Sequence, residues 1–155
     1  MPFHKPTTHS LLESQHLIGL TKAKYYFIYE DDGTRYWFTR FLKKGFKHVT
    51  AIKFNGLFWI KMDLSLGWTD FDVLPYDRYD TIHNVTEHMD FTHIQYVEAY
   101  MKPRYRVRSL FAPWTCVEAM KSLIGIRACF VTTPYQLFKY IGANHGKSIR
   151  RRKQT

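Results

Sequence analysis

The Asn55-Gly56 dipeptide, set between His48–Phe54 (HVTAIKF) and Leu57–Asp63 (LFWIKMD), constrains this chain more than any other feature. Asn-Gly is the preferred two-residue type I′ turn because its twist matches that of the strands it joins. Both flanks are rich in aromatic and β-branched residues, which suit a pleated, half-buried surface. A two-residue turn fixes the register: Phe54 faces Leu57, Ile52 faces Trp59, Thr50 faces Lys61 and His48 faces Asp63. Directly opposed residues share a sheet face with Cβ atoms about 4.5–5.5 Å apart. This reading sets an imidazole against a carboxylate at the open end of the ladder.

Other segments extend the pattern. Lys24–Glu30 (KYYFIYE), an Asp31-Asp32-Gly33 turn and Thr34–Leu42 (TRYWFTRFL) read as another hairpin. Phe71–Leu74 and His93–Tyr100 read as strands, Arg104–Leu110 as a basic, alternating edge-like segment, and 76–91 as irregular and acidic. The chain then turns helical. Thr115-x-x-Glu118 is a capping box closed at Gly125, and Thr133 (N-cap), Pro134 (N1), Gln136 (N3) and Gly142 (C′) repeat the logic. Strands followed by helices predict an α+β fold, with an antiparallel sheet of five or six strands packed against the helix that carries Cys116. Residues 1–23 read as an N-terminal arm, 24–142 as the domain and 143–155 as a basic tail.

Of the 155 residues, 45% are hydrophobic and 17% aromatic, enough to exclude a disordered chain. No apolar run reaches 18 residues, so no transmembrane helix is expected, and the first 20 residues lack the pattern of a signal peptide. Two cysteines are too few for a disulfide scaffold, and a reduced, cytoplasmic protein is the expectation. His4, His9 and His16 place no clear pair on one helix face, so neither a metal nor any other cofactor is expected. The net charge of +10 is segregated: six bases and no acid lie between Arg35 and Lys53, and five bases stand in the last nine residues, Arg150, Arg151 and Arg152 among them. Such a distribution attracts polyanions.

The chemistry gathers at Cys116. With Thr115 as N-cap it occupies the first helical position, where unpaired N–H groups and the helix dipole stabilise a thiolate. Ala119, Met120 and Leu123 follow at i+3, i+4 and i+7, which sets the sulfur at the rim of the buried stripe. Cys129, within an apolar ACFV run, reads as buried packing. A nucleophilic thiol needs a base held by a third polar group, and His48 with Asp63 supplies one. Trp114, Tyr26 and Gln95 are candidates for a second oxyanion donor beside the Cys116 backbone N–H. Trp59 and Trp68 are candidates for cleft walls.

Gly45-Phe46-Lys47-His48-Val49 leading a strand, the hairpin to WIKMD, then TCVEAMKSLIGI and TPYQLFKYI resemble the circularly permuted papain-like cysteine hydrolases related to the NlpC cell-wall peptidases. In that branch the histidine strand precedes the cysteine helix. The likeness spans roughly residues 24–142 and extends to small phage-encoded proteins of the group. It implies Cys116 as nucleophile, His48 as general base and Asp63 as orienting residue, acting on an amide or ester such as peptidoglycan. Val117-Glu118-Ala119 departs from the Ser-Glu-Leu type of triplet that often follows the cysteine there. The rival expectation is a non-enzymatic virion or nucleic-acid-binding protein that touches a polyanion or a virion partner through Arg150, Arg151 and Arg152.

Overall fold

The computed structural model describes residues 22–31, 37–65, 68–100, 115–144 and 146–150. Six strands run β1 (Lys22–Glu30), β2 (His48–Phe54), β3 (Trp59–Ser65), β4 (Trp68–Leu74), β5 (His93–Tyr100) and β6 (Gly146–Arg150). They form one sheet in the order β4-β3-β2-β1-β5-β6, with every neighbouring pair antiparallel. Three helices accompany it: α1 (Ile82–Thr86), α2 (Cys116–Ile124) and α3 (Pro134–Asn144). The architecture is therefore α+β. Among the described residues no helix is long and apolar enough to cross a membrane.

β1 sits in the centre because both of its faces are apolar. Tyr25, Phe27 and Tyr29 join Val49, Ala51, Met62 and Val97 in a core beneath α2 and α3, which contribute Val117, Ala119, Met120, Leu137 and Ile141. Ile28 joins Ile52, Trp59 and Ile94 in a second core, closed by Ile82 and Val85 of α1. Gln95 ties the first core together: its Oε1 accepts from the Tyr29 hydroxyl at 2.9 Å and its Nε2 donates to the Phe138 carbonyl at 3.0 Å.

Several expectations from sequence are corrected here. The described part of the Thr34–Leu42 segment, residues 37–42, is not a strand but contains a 3₁₀ helix, Trp37–Phe41, and β1 pairs with β2 and β5. A strand with two apolar faces is best buried between two long neighbours, whereas Trp37 and Phe41 remain largely exposed. The 76–91 segment contains α1. The 143–155 tail contributes β6, paired with β5 at the sheet edge. Gly142 is not a C′ residue, since α3 continues to Asn144. A Cβ at Gly142 would lie 3.4 Å from Gln95 Nε2, at the near edge of ordinary van der Waals contact, so the position has room for one. The segment 104–110 lies outside the described residues.

The central hairpin differs in register. Its loop has four residues, with the Asn55 N–H donating to Phe58 O at 3.1 Å and Phe54 pairing with Trp59, so Ile52 faces Lys61. A type I′ turn requires positive φ at both central residues. Here Gly56 has φ 102° and no residue other than glycine has positive φ among those described. Asn55 instead uses its side chain: Oδ1 accepts the N–H groups of Leu57 (2.9 Å) and Phe58 (2.8 Å). That local bond competes with the tight turn and wins.

Candidate active site

The two-residue slip changes partners but keeps faces, because side chains alternate with a period of two. Continued from Ala51–Met62, the pairing sets Asp63 opposite Thr50, diagonal to His48. The diagonal pair still meets, with His48 Nε2 2.8 Å from Asp63 Oδ1 and both side chains about four-fifths buried.

Thr115 and Glu118 start α2 as the sequence predicts: the Thr115 side chain accepts the Glu118 N–H, and Gly125 ends the helix at φ 70°. Cys116 is thus at the first helical position, half-buried against the core under α2. Cys116 is among the groups that raise the His48 pKa. Alternation from Val49 and Ala51 assigns His48 to the opposite face of the sheet. His48 is the first residue of β2, however, and at a strand end the ring is not confined to one side.

Burial works against a cation at His48, yet the hydrogen bonds to Asp63 and Cys116, with the charges of both, outweigh it. They push the imidazole pKa from 6.5 to about 10.

A second carboxylate, Glu30, was not singled out from sequence. It is the β1 register partner of His48, and its Oε1 accepts from Thr50 Oγ1 at 3.4 Å. Burial raises its pKa; Lys61 and His48 pull it back, and Asp63 pushes it up. The β1–β2 pairing is the signal that would find it, and the Asp-Gly turn after β1 points locally to a different partner.

The remaining candidates separate from this cluster. Gln95 is wholly buried and already engaged with Tyr29 and Phe138. The Tyr26 ring lies between Tyr96 (5.4 Å) and Trp59 (5.9 Å) on the α1 face. The tyrosine that feels Cys116 is Tyr29, whose hydroxyl pKa is raised by burial and further by the thiolate charge. Trp59 is a core residue whose Nε1 donates to Asp77 O at 2.9 Å, so it walls no cleft at His48. Trp114 and His4, His9 and His16 lie outside the described residues, as do Arg151 and Arg152, while Arg150 ends β6. Cys129 is exposed, not buried: Ala128 and Val131 turn inward, which sends Cys129 and Phe130 out. Among the described residues no group of three or more His, Cys, Asp or Glu side chains could hold a metal ion.

Lys121 secures the helix that carries the thiol. Its buried Nζ reaches Glu118 Oε1 (2.5 Å), Ala128 O (2.8 Å) and Val131 O (2.9 Å), fastening the α2–α3 connection to α2. Comparison with protein-family models, curated proteins and solved structures returns no match.

Proposed function

We propose that this protein is a cysteine-dependent hydrolase of amide or ester bonds with a permuted papain-like fold. The reading is carried by one juxtaposition: a thiol at a helix N-terminus that helps raise the pKa of an imidazole, which Asp63 meets at 2.8 Å.

The chemistry follows from the charges. With His48 protonated, the Cys116 sulfur attacks a carbonyl carbon, and negative charge develops on the carbonyl oxygen. The Cys116 backbone N–H, unpaired within the helix, can donate to that charge. His48 gives its proton to the departing amine or alkoxide, leaving a thioester on Cys116. Neutral His48 then takes a proton from water, the hydroxide attacks the thioester, and the acid product leaves as the thiolate–imidazolium pair is restored. Asp63 fixes the ring and supports its cationic form throughout. Peptidoglycan stem peptides fit the basic surface as substrate, and the action would take place in the cytoplasm or on a phage particle.

Alkylation tests this directly. Iodoacetamide at pH 6 should modify Cys116 in the wild type faster than in His48→Ala by roughly tenfold or more. The more exposed Cys129 serves as an internal control, with intact-mass and peptide mapping as the readout. A 4-nitrophenyl ester should leave an acyl adduct on Cys116 and none in Cys116→Ala. Equal alkylation of Cys116 with and without His48, or ester turnover that survives Cys116→Ala, would remove the basis for the proposal.

A further inference from the structure

We propose that the α1 face of the sheet, around Tyr26, binds single-stranded nucleic acid. This site does not rest on the Cys116 reading. It lies toward the turn end of the β2–β3 ladder: Tyr26 is in register with Ile52, about 13 Å along β2 from His48 at about 3.3 Å per residue.

Four aromatic rings meet across four strands on this face, Trp59 buried in the core below and Tyr26, Phe54 and Tyr96 partly exposed. Tyr96 of β5 meets Tyr26 of β1 at 5.4 Å, Tyr26 meets Trp59 of β3 at 5.9 Å, and Trp59 meets Phe54 of β2 at 5.4 Å. Beside the row lies an open groove of about 450 Å³ lined by Tyr26, Phe54 and Trp59 and by Lys22 and Lys24, with Lys53, whose ammonium stands over the Tyr25 ring of the other face, at its edge; Glu98, in register with Lys24, accepts from the Tyr96 hydroxyl nearby. Lys22 and Lys24 are exposed. Lys22 also approaches Glu98 at 3.9 Å, a half-exposed ion pair of the kind that contributes little and exchanges readily for a phosphate.

The sheet continues the pattern beyond β5. β6 sets Lys147 in register with Tyr96, which in turn is in register with Tyr26. The pairing of β6 thus sets residue 147 one strand beyond the aromatic row in the sheet. Aromatic rings aligned on a sheet and flanked by cations suit the bases and phosphates of an unpaired strand, whose bases are free to stack. A duplex hides its base faces and gains nothing from the rings.

Fluorescence anisotropy with labelled 15-nucleotide dT and rU strands, over a series of salt concentrations, provides the test. The full chain should bind them, and the tighter of the two identifies the natural strand type. Lys22→Glu with Lys24→Glu should weaken binding roughly tenfold or more, and the slope of log K against log salt should fall by about 1.4, about 0.7 for each phosphate contact. Tyr26→Leu keeps the apolar bulk and should weaken binding about tenfold while leaving the salt slope unchanged. Near-UV circular dichroism confirms that each variant is folded. The proposal fails if the lysine variant binds like the wild type, or if a duplex or heparin competes as well as the single strand. It fails equally if the affinity follows Arg151→Ser with Arg152→Ser and ignores Lys22 and Lys24.

Discussion

Replacing Asp63 by Asn tests the electrostatics of the site. At about 1.4 kcal/mol for each pH unit, an imidazole raised from 6.5 to about 10 stabilises the fold by at most about 5 kcal/mol when fully protonated. Cys116 supplies part of this. The Asn side chain still accepts a hydrogen bond, and a charged hydrogen bond is worth about 1.5–3 kcal/mol. Asp63→Asn should therefore cost about 2–3 kcal/mol at pH 6. Because the folded-state pKa lies above the unfolded one, the contribution is complete below pH 6.5, declines as pH rises and is gone above about pH 10. The stability gap between wild type and variant should close over the same interval.

Urea denaturation of both proteins between pH 6 and 10 measures that gap, and the difference cancels the lysines and tyrosines that titrate in both. An NMR titration of the His48 Cε1–H should show a wild-type midpoint well above 6.5 and a lower one in Asp63→Asn. A wild-type midpoint near 6.5 would refute the reasoning, and so would a gap that stays constant with pH.

Lys121→Met should cost about 2–4 kcal/mol in urea denaturation, because it strands the Ala128 and Val131 carbonyls and leaves Glu118 without its partner; a loss under about 0.5 kcal/mol would show that Lys121 does not secure the loop. Gly125→Ala should cost about 1 kcal/mol because φ there is 70°, whereas Gly142→Ala should be neutral or stabilise by up to about 1 kcal/mol. Thermal melts of the pair should move in opposite directions or differ by several degrees, and equal shifts would contradict the assigned helix ends.

The parts legible from sequence were those set by local chemistry. Thr115, Glu118 and Gly125 bound α2 through hydrogen bonds and one left-handed φ, all within a dozen residues. Thr133 and Gln136 likewise cap α3 reciprocally, the Gln136 side chain accepting the Thr133 N–H at 3.1 Å and the Gln136 N–H reaching Thr133 Oγ1 at 3.3 Å. The partners of β1 were illegible because pairing is decided by burial across the whole sheet. An Asp-Gly turn beside aromatic residues favours a hairpin locally, yet Phe27, Ile28 and Tyr29 are wholly buried between β2 and β5. Cys129 failed for the opposite reason, as an apolar run says nothing about which of its residues a turn sends outward.

The pairing of His48 with Asp63 survived a wrong register, and the reason bears on how such sites can be read. A slip of one residue would have moved Asp63 to the far face of β3, whereas a slip of two keeps the face and costs only a diagonal reach, which a long side chain such as His48 spans. Face is therefore a sturdier inference than partner. The same parity places Glu30, Thr50 and Lys61 beside the pair once β1 is laid against β2. The cation at His48 thus sits among two carboxylates and one lysine. Neutralising Asp63 leaves Glu30 as the carboxylate across from the ring, so His48 retains an acidic neighbour in Asp63→Asn. Asp63→Asn should therefore keep more of the His48 cation than Asp63→Asn combined with Glu30→Gln, and the His48 midpoint of the double variant should lie lowest. Equal midpoints in the two would remove Glu30 from the site.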